Sequence, residues 1–186
     1  MINAWVRSTL AMACFALVGA LAPAAYAQDS QVADNLHQSV NLVVNGDFSA
    51  NGGSLAGWTT NQNVDNIYWQ FNTDGTTDYA IAGCFGDVCI NGTEAQQNFL
   101  SQTIPTCPFG IYKLTFTYDG GGGGENELKV LVGHRTLKDL VNIAQGPNTY
   151  TVYFLAERFD TKLNFLGRQD NAYSFLSNVS VTQFLW

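Results

Sequence analysis

The feature that most constrains this chain is a two-residue rhythm that sets in after Phe99. Tyr112-Lys-Leu-Thr-Phe-Thr-Tyr118 alternates large apolar with polar side chains, and Leu100-Ser-Gln-Thr-Ile104 and Glu127-Leu-Lys-Val-Leu-Val132 do the same over shorter spans. Successive side chains on a strand point to opposite faces, so such runs read as strands with one buried and one wet face. Tyr112, Leu114, Phe116 and Tyr118 then share one side, and Leu128, Val130 and Val132 turn inward on the next strand. Further strand-like runs follow at Asn148–Phe154, Thr161–Leu166 and Ser174–Phe184. Many short strands divided by turn signals, without a parallel strand-helix-strand rhythm, predict an all-β fold. We expect an antiparallel β-sandwich of the jelly-roll type, with at most one or two short helices.

The first half of the chain is less regular. Leu42-Val-Val is expected to be a short strand ending in the turn Asn45-Gly-Asp47, after which Phe48 returns to the core. Ile67-Tyr-Trp-Gln-Phe71 and Tyr79-Ala-Ile-Ala82 read as strands on either side of the turn Thr73-Asp-Gly-Thr76. Asp119-Gly-Gly-Gly-Gly-Gly-Glu125 offers no side chains to hold it and is expected to be a mobile loop. Leu137, Leu140 and Val141 have helical spacing, which predicts one or two helical turns within 134–144.

Arg7, the apolar run Leu10–Leu21 and Ala25-Tyr-Ala27 form the pattern of a secretory signal peptide cut before Gln28. The run is short of the roughly 20 apolar residues that a membrane span needs. We therefore divide the chain into a signal peptide (1–27), a polar leader (28–40) and one domain (41–186), exported to the periplasm or the medium. Without Arg7, seven basic residues face fifteen acidic ones, a net charge of −8. A surface of that sign repels phosphate backbones, which excludes nucleic acid as a partner and leaves glycans or cations. Cys84, Cys89 and Cys107 remain after cleavage. Gly86 and Asp87 accept tight turns, so Cys84 is expected to pair with Cys89, leaving Cys107 free or buried, while pairings through Cys107 stay open.

The two ends of the domain carry a family pattern. Asn41, Leu42, Asn45, Gly46 and Phe48, followed by Gly57-Trp58, resemble the opening of galactose-binding-like jelly rolls, which include many carbohydrate-binding modules. Leu100-Ser-Gln-Thr-Ile104 with Tyr112-Lys-Leu-Thr-Phe116 resembles their central strand pair, and Leu163-Asn-Phe165 with Phe175-Leu-Ser-Asn-Val-Ser-Val181 resembles their closing strands. The resemblance implies a non-catalytic, lectin-like domain that binds a glycan or cell-surface polysaccharide. It also implies a structural calcium, for which Asn45, Asp47 and Asp170 are the candidate oxygen ligands. Relatives carry an aspartate where this chain has Ser177, a weaker ligand for an ion that takes six to eight oxygens.

Sugar recognition calls for flat rings against the C–H face of a pyranose, with amides and carboxylates on its hydroxyls. Tyr68, Trp69, Tyr79 and Tyr118 are the candidates, and alternation along 67–71 places Tyr68 outward and Trp69 with the core. Trp58 is read as core. Catalysis has little to stand on. His37 and His134 are the chain's only histidines, no nucleophile elbow or zinc-protease motif occurs, and His134 reads as part of a surface turn. A hydrolase would need paired carboxylates, for which Asp119 and Glu125 are the nearest match. An adhesive role, binding envelope or matrix proteins through the odd cysteine or the tail Phe184-Leu-Trp186, ranks second to glycan recognition.

Overall fold

The computed structural model describes residues 40–61 and 69–184; the expected signal peptide, most of the leader, His37, Tyr68 and Trp186 lie outside them. Among the described residues ten strands form two antiparallel five-stranded sheets. The first contains β1 (Thr59–Thr60), β4 (Phe99–Pro105), β9 (Asp160–Gln169), β6 (Asn126–Val132) and β7 (Arg135–Val141), in that spatial order. The second contains β2 (Trp69–Thr73), β3 (Asp78–Ala82), β10 (Ser174–Gln183), β5 (Ile111–Asp119) and β8 (Asn148–Leu155). The only α-helix among the described residues, α1, is the single turn Val88–Asn91.

The alternating runs fold as their pattern dictates. Tyr112, Leu114, Phe116 and Tyr118 of β5 are fully buried, and they meet Leu163 and Phe165 of β9 and Leu128 and Val130 of β6 in one core. Phe116 stacks edge-on against Phe165 with ring centroids 5.6 Å apart, a favoured aromatic geometry. Trp58 packs between Phe48 and Phe165, at 5.7 and 6.1 Å.

Three expectations need correction. Residues 135–141 form strand β7, not helical turns. A bulge shifts the β6–β7 register between Val130 and Leu131, so Leu137 as well as Leu140 reaches the core. An inserted residue of this kind makes a strand imitate a period of three to four. Residues 42–44 are not a strand either. They run beside β10, joined to it by Leu42 N–H donating to Val181 O (2.8 Å), while Asn41 Oδ1 accepts the N–H of Val181 at 2.9 Å. Gln102 completes the clamp: its Oε1 accepts Val44 N–H at 2.7 Å, and its amide donates to Val44 O and Gly57 O at 2.9 and 3.1 Å.

The five-glycine run is the third correction, because its packing leaves no room for side chains. A Cβ at Gly120 would lie 2.0 Å from Ile143 O, and one at Gly121 would lie 1.7 Å from Tyr173 O. Glycine is required there because neighbouring backbone occupies the side-chain position. Asp119 Oδ1 fixes the segment by accepting N–H groups of Gly121 (2.7 Å) and Gly146 (3.0 Å).

Candidate functional site

The outward faces of the two sheets differ in what covers them. On the first sheet, Cys84 and Cys89 form a disulfide, and together with Ile90 of α1 they pack on Leu166 of β9. Among the described residues no cysteine is free, which corrects the expectation that Cys107 is left over. The same face carries internally paired charges beside the uncharged Ser101, Thr103 and Asn164. Lys129 lies 3.3 Å from Glu127 and 3.8 Å from Asp139, and Arg168 binds Glu125 and Asp170 at 2.6 Å each.

The second sheet is uncharged over most of its outward face. Its register places Thr117 opposite Thr149, Thr115 opposite Thr151 and Lys113 opposite Tyr153 between β5 and β8. On the other side of β5, Ser177, Ser180 and Thr182 of β10 face Thr117, Thr115 and Lys113. Directly paired residues share a face. The result is a field of six side-by-side threonines and serines, Thr115, Thr117, Thr149, Thr151, Ser180 and Thr182, with Ser177 buried beside it.

An aromatic pair stands at each end of this field. Tyr153 and Phe184 meet edge to face at 5.1 Å, with 54% and 40% of their surfaces exposed. At the other end Tyr79 and Phe175 meet edge to face at 5.5 Å, and the Tyr79 hydroxyl donates to Asp74 Oδ2 at 2.8 Å. Phe175 pairs with Asp119 and Phe184 N–H donates to Ile111 O, eight positions apart on β5, so at ~3.4 Å per residue the two pairs are separated by roughly 27 Å. Asp74 also accepts N–H groups of Thr76 and Thr77, both at 2.8 Å. These bonds hold its carboxyl below the ordinary range, Thr77 having the largest influence, and the hydrogen bond to Asp74 raises the Tyr79 phenol in turn.

The candidates picked from the sequence scatter. Tyr79 lies on the second sheet's outward face, and Tyr68 lies outside the described residues. Trp69 is fully buried, its indole N–H donating to Asn98 O at 3.2 Å. Tyr118 is also fully buried, and burial pushes its hydroxyl pKa up. Neither ring has a face left for a ligand. Tyr153 and Phe175 were missed, although reading Asn148–Phe154 in steps of two puts Thr149, Thr151 and Tyr153 on one side.

The calcium candidates do not converge. Asn45 uses its amide on Ser54 O and Ala56 O (2.8 and 3.0 Å) and its Oδ1 on Ala50 N–H (2.9 Å). Asp47 turns back on Ser49, and Asp170 is held by Arg168 and Gly86 N–H. A polar groove of about 350 Å³ between the N-terminal turn and β10 includes Asn45 and Asp47 but not Asp170. Among the described residues no three His, Cys, Asp or Glu side chains are grouped to hold a metal ion. Asp119 and Glu125, the candidate hydrolytic pair, are committed to the glycine loop and to Arg168.

No protein-family model matches the chain, and no curated protein sequence matches it. Solved structures do. The CBM22-1 xylan-binding domain of Paenibacillus barcinonensis Xyn10C superposes with a TM-score of 0.54 at 13% identity, over 78% of this chain and 95% of that one. The chain shares its fold with carbohydrate-binding modules. TmCBM61, solved with β-1,4-galactotriose, gives a TM-score of 0.51 at 13% identity, covering 78% of this chain and all (100%) of that module. The enzymatically active domain of bacteriophage CBA120 tailspike protein 4 gives 0.52 at 14% identity over 77% of this chain, which spans 21% of that protein. Among the described residues no helix is long and apolar enough to cross a membrane.

Proposed function

We propose that this protein is a non-catalytic glycan-binding domain and that an extended neutral polysaccharide lies along the outward face of the second sheet. The observation that carries the proposal is the field of hydroxyls bracketed by two partly exposed aromatic pairs. Rings of this kind stack on the apolar faces of sugars, while threonine and serine exchange hydrogen bonds with sugar hydroxyls in place of water. The spacing of the pairs suits a chain of several sugars rather than a single residue. The shared fold supports the reading, since modules built this way bind xylan and galactotriose. The Cys84–Cys89 disulfide, together with the signal peptide read at 1–27, supports export to the periplasm or the medium.

Affinity electrophoresis in gels containing xylan or β-1,4-galactan tests this directly. The wild-type protein is expected to be retarded without releasing reducing sugar, and Tyr153→Ala and Tyr79→Ala are each expected to weaken retention about ten-fold. Undiminished retention in the double variant would remove the second sheet as the site. Reducing ends that accumulate with wild type, and vanish with Asp119→Asn, would make the protein a hydrolase.

A further inference from the structure

We propose a second binding site, for a carboxylate-bearing sugar, in a cleft where the edge strands β7 and β8 of the two sheets leave the sandwich open. The cleft has a volume of about 270 Å³ and an apolar floor of Val132, Leu137, Phe154 and Leu155. Its rim carries His134, Arg135, Arg158 and Lys162, with Glu157 and Asp160 also present. The cleft thus holds three of the chain's eight Lys and Arg residues but only two of its fifteen carboxylates. In a strongly acidic protein the cleft is thus a less acidic patch, which repels an anion less than the remaining surface does.

The two arginines of the cleft are also unspent. Among the described residues neither Arg135 nor Arg158 forms an ion pair, whereas Arg168 on the first sheet binds two carboxylates. Lys162 has only a 4.0 Å contact with Glu94 and sits 5.5 Å from the centre of the Phe99 ring. The loops that present these groups are fastened. Thr106 donates its hydroxyl to Arg158 O and its N–H to Phe159 O, both at 2.7 Å, and Gly133 N–H donates to Lys162 O at 2.8 Å. A free guanidinium fixed at the backbone beside an apolar floor matches a ligand with one carboxylate and one hydrophobic ring face. The volume lies just below the ~300–1,000 Å³ typical of ligand pockets, which suits one sugar residue at a chain end. Uronic acids combine these properties, and an acidic peptide lacks the ring.

The cleft adjoins the face of the second sheet at Leu155 but lies away from Tyr79 at its far end, so variants at Tyr79 and at the two arginines let the two readings fail independently. Titration calorimetry on the full chain with trigalacturonate, its neutral counterpart galactotriose and a glutamate-rich peptide tests it. Trigalacturonate is expected to bind about ten-fold more tightly than galactotriose, as a charge-assisted hydrogen bond implies. That preference should fall on raising salt from 0.05 to 0.5 M, a range estimated as about a three-fold change in Debye length. Arg158→Ala and Arg135→Ala should each abolish the preference and leave retention by neutral polysaccharide unchanged, whereas Tyr79→Ala should leave the preference intact. Equal binding of the acidic and neutral trisaccharides, full preference in the Arg158→Ala, Arg135→Ala double variant, or equal binding of the peptide would overturn the proposal.

Discussion

On the first sheet, Lys129 and Arg168 each face a carboxylate, and a disulfide loop covers the apolar Leu166. On the second, Lys113 stands among a row of threonines and serines without an ion pair to any described residue, and rings at both ends remain partly exposed. Both faces belong to the same kind of antiparallel sheet over one core. One has its charges paired internally; the other carries hydroxyls with hydrogen-bonding capacity left over, even where Thr117 and Thr149 bond to each other at 3.1 Å, and aromatic surface for an outside partner. The contrast shows that the ligand side of a sandwich is identified by what its outward groups have not already bonded, and strand pattern alone cannot supply that.

The largest test of the contrast acts on the covered face. Ile90 is 2% exposed and packs with Cys84, Cys89 and Leu166, so Ile90→Ala is expected to cost about 3 kcal/mol, as buried aliphatic truncations do. Urea denaturation measures this, and glycan affinity of the folded variant should not change. A loss of affinity would mean that the first sheet takes part in binding. Replacing both Cys84 and Cys89 by alanine opens a loop with a sequence separation of 5 and should cost less, about 2 kcal/mol, from loop entropy.

Changes on the second sheet should have the opposite profile. Thr151→Val with Thr115→Val removes two hydroxyls from the centre of the field. Stability should stay within about 0.5 kcal/mol, since these are surface positions of a strand. Affinity for the retained polysaccharide should fall roughly ten-fold for the pair, at 0.5–1.5 kcal/mol per hydrogen bond. Unchanged affinity would mean that the rings alone hold the ligand.

Legibility in the sequence divides along the same line. The two-residue rhythm of Tyr112–Tyr118 places every ring of that run in the core, because burial imposes the alternation. The same logic misleads at Tyr118 when it is taken as a sugar platform: an inward tyrosine and an outward one have the same letter, and only the phase of the strand separates them. Bulges erase phase, which is why Leu137 and Leu140 looked helical. The glycine run looked loose because the backbone atoms of Ile143 and Tyr173 that crowd it come from distant parts of the chain. The bracketed hydroxyl field joins three strands by register, and register is set by long-range pairing.

Tyr118→Phe gives a smaller effect and tests the buried assignment. The Tyr118 hydroxyl and Ser174 Oγ are buried without a hydrogen bond of good geometry, although Ser174 lies near enough to favour the phenolate against the dominant effect of burial. Removing an ill-satisfied buried hydroxyl is expected to leave stability unchanged or raise it by about 0.5 kcal/mol, with no effect on glycan affinity. A marked affinity loss would reinstate Tyr118 as a ligand residue.

The smallest expected effect is a pH dependence confined to the charged face, and its sign differs between two carboxylates. The Arg168 hydrogen bond holds Asp170 below its ordinary 3.8, so its contribution is present above that value and is lost as the pH falls through the lower folded-state value. Glu127 is displaced the other way, chiefly by burial and against the pull of Lys129, so the stability linked to it is present below its ordinary 4.5 and is lost as the pH rises through the folded-state value. Arg168→Ala should therefore flatten the loss of stability on acidification below about pH 4, and Glu127→Gln should remove the opposing loss on the alkaline side of about 4.5. Each change should amount to about 1 kcal/mol at most, the scale of partly exposed ion pairs. Thermal denaturation between pH 3 and 7 separates them, and glycan affinity measured over pH 5 to 7 should be the same in both variants as in the wild type, because neither group reaches the hydroxyl-bearing face.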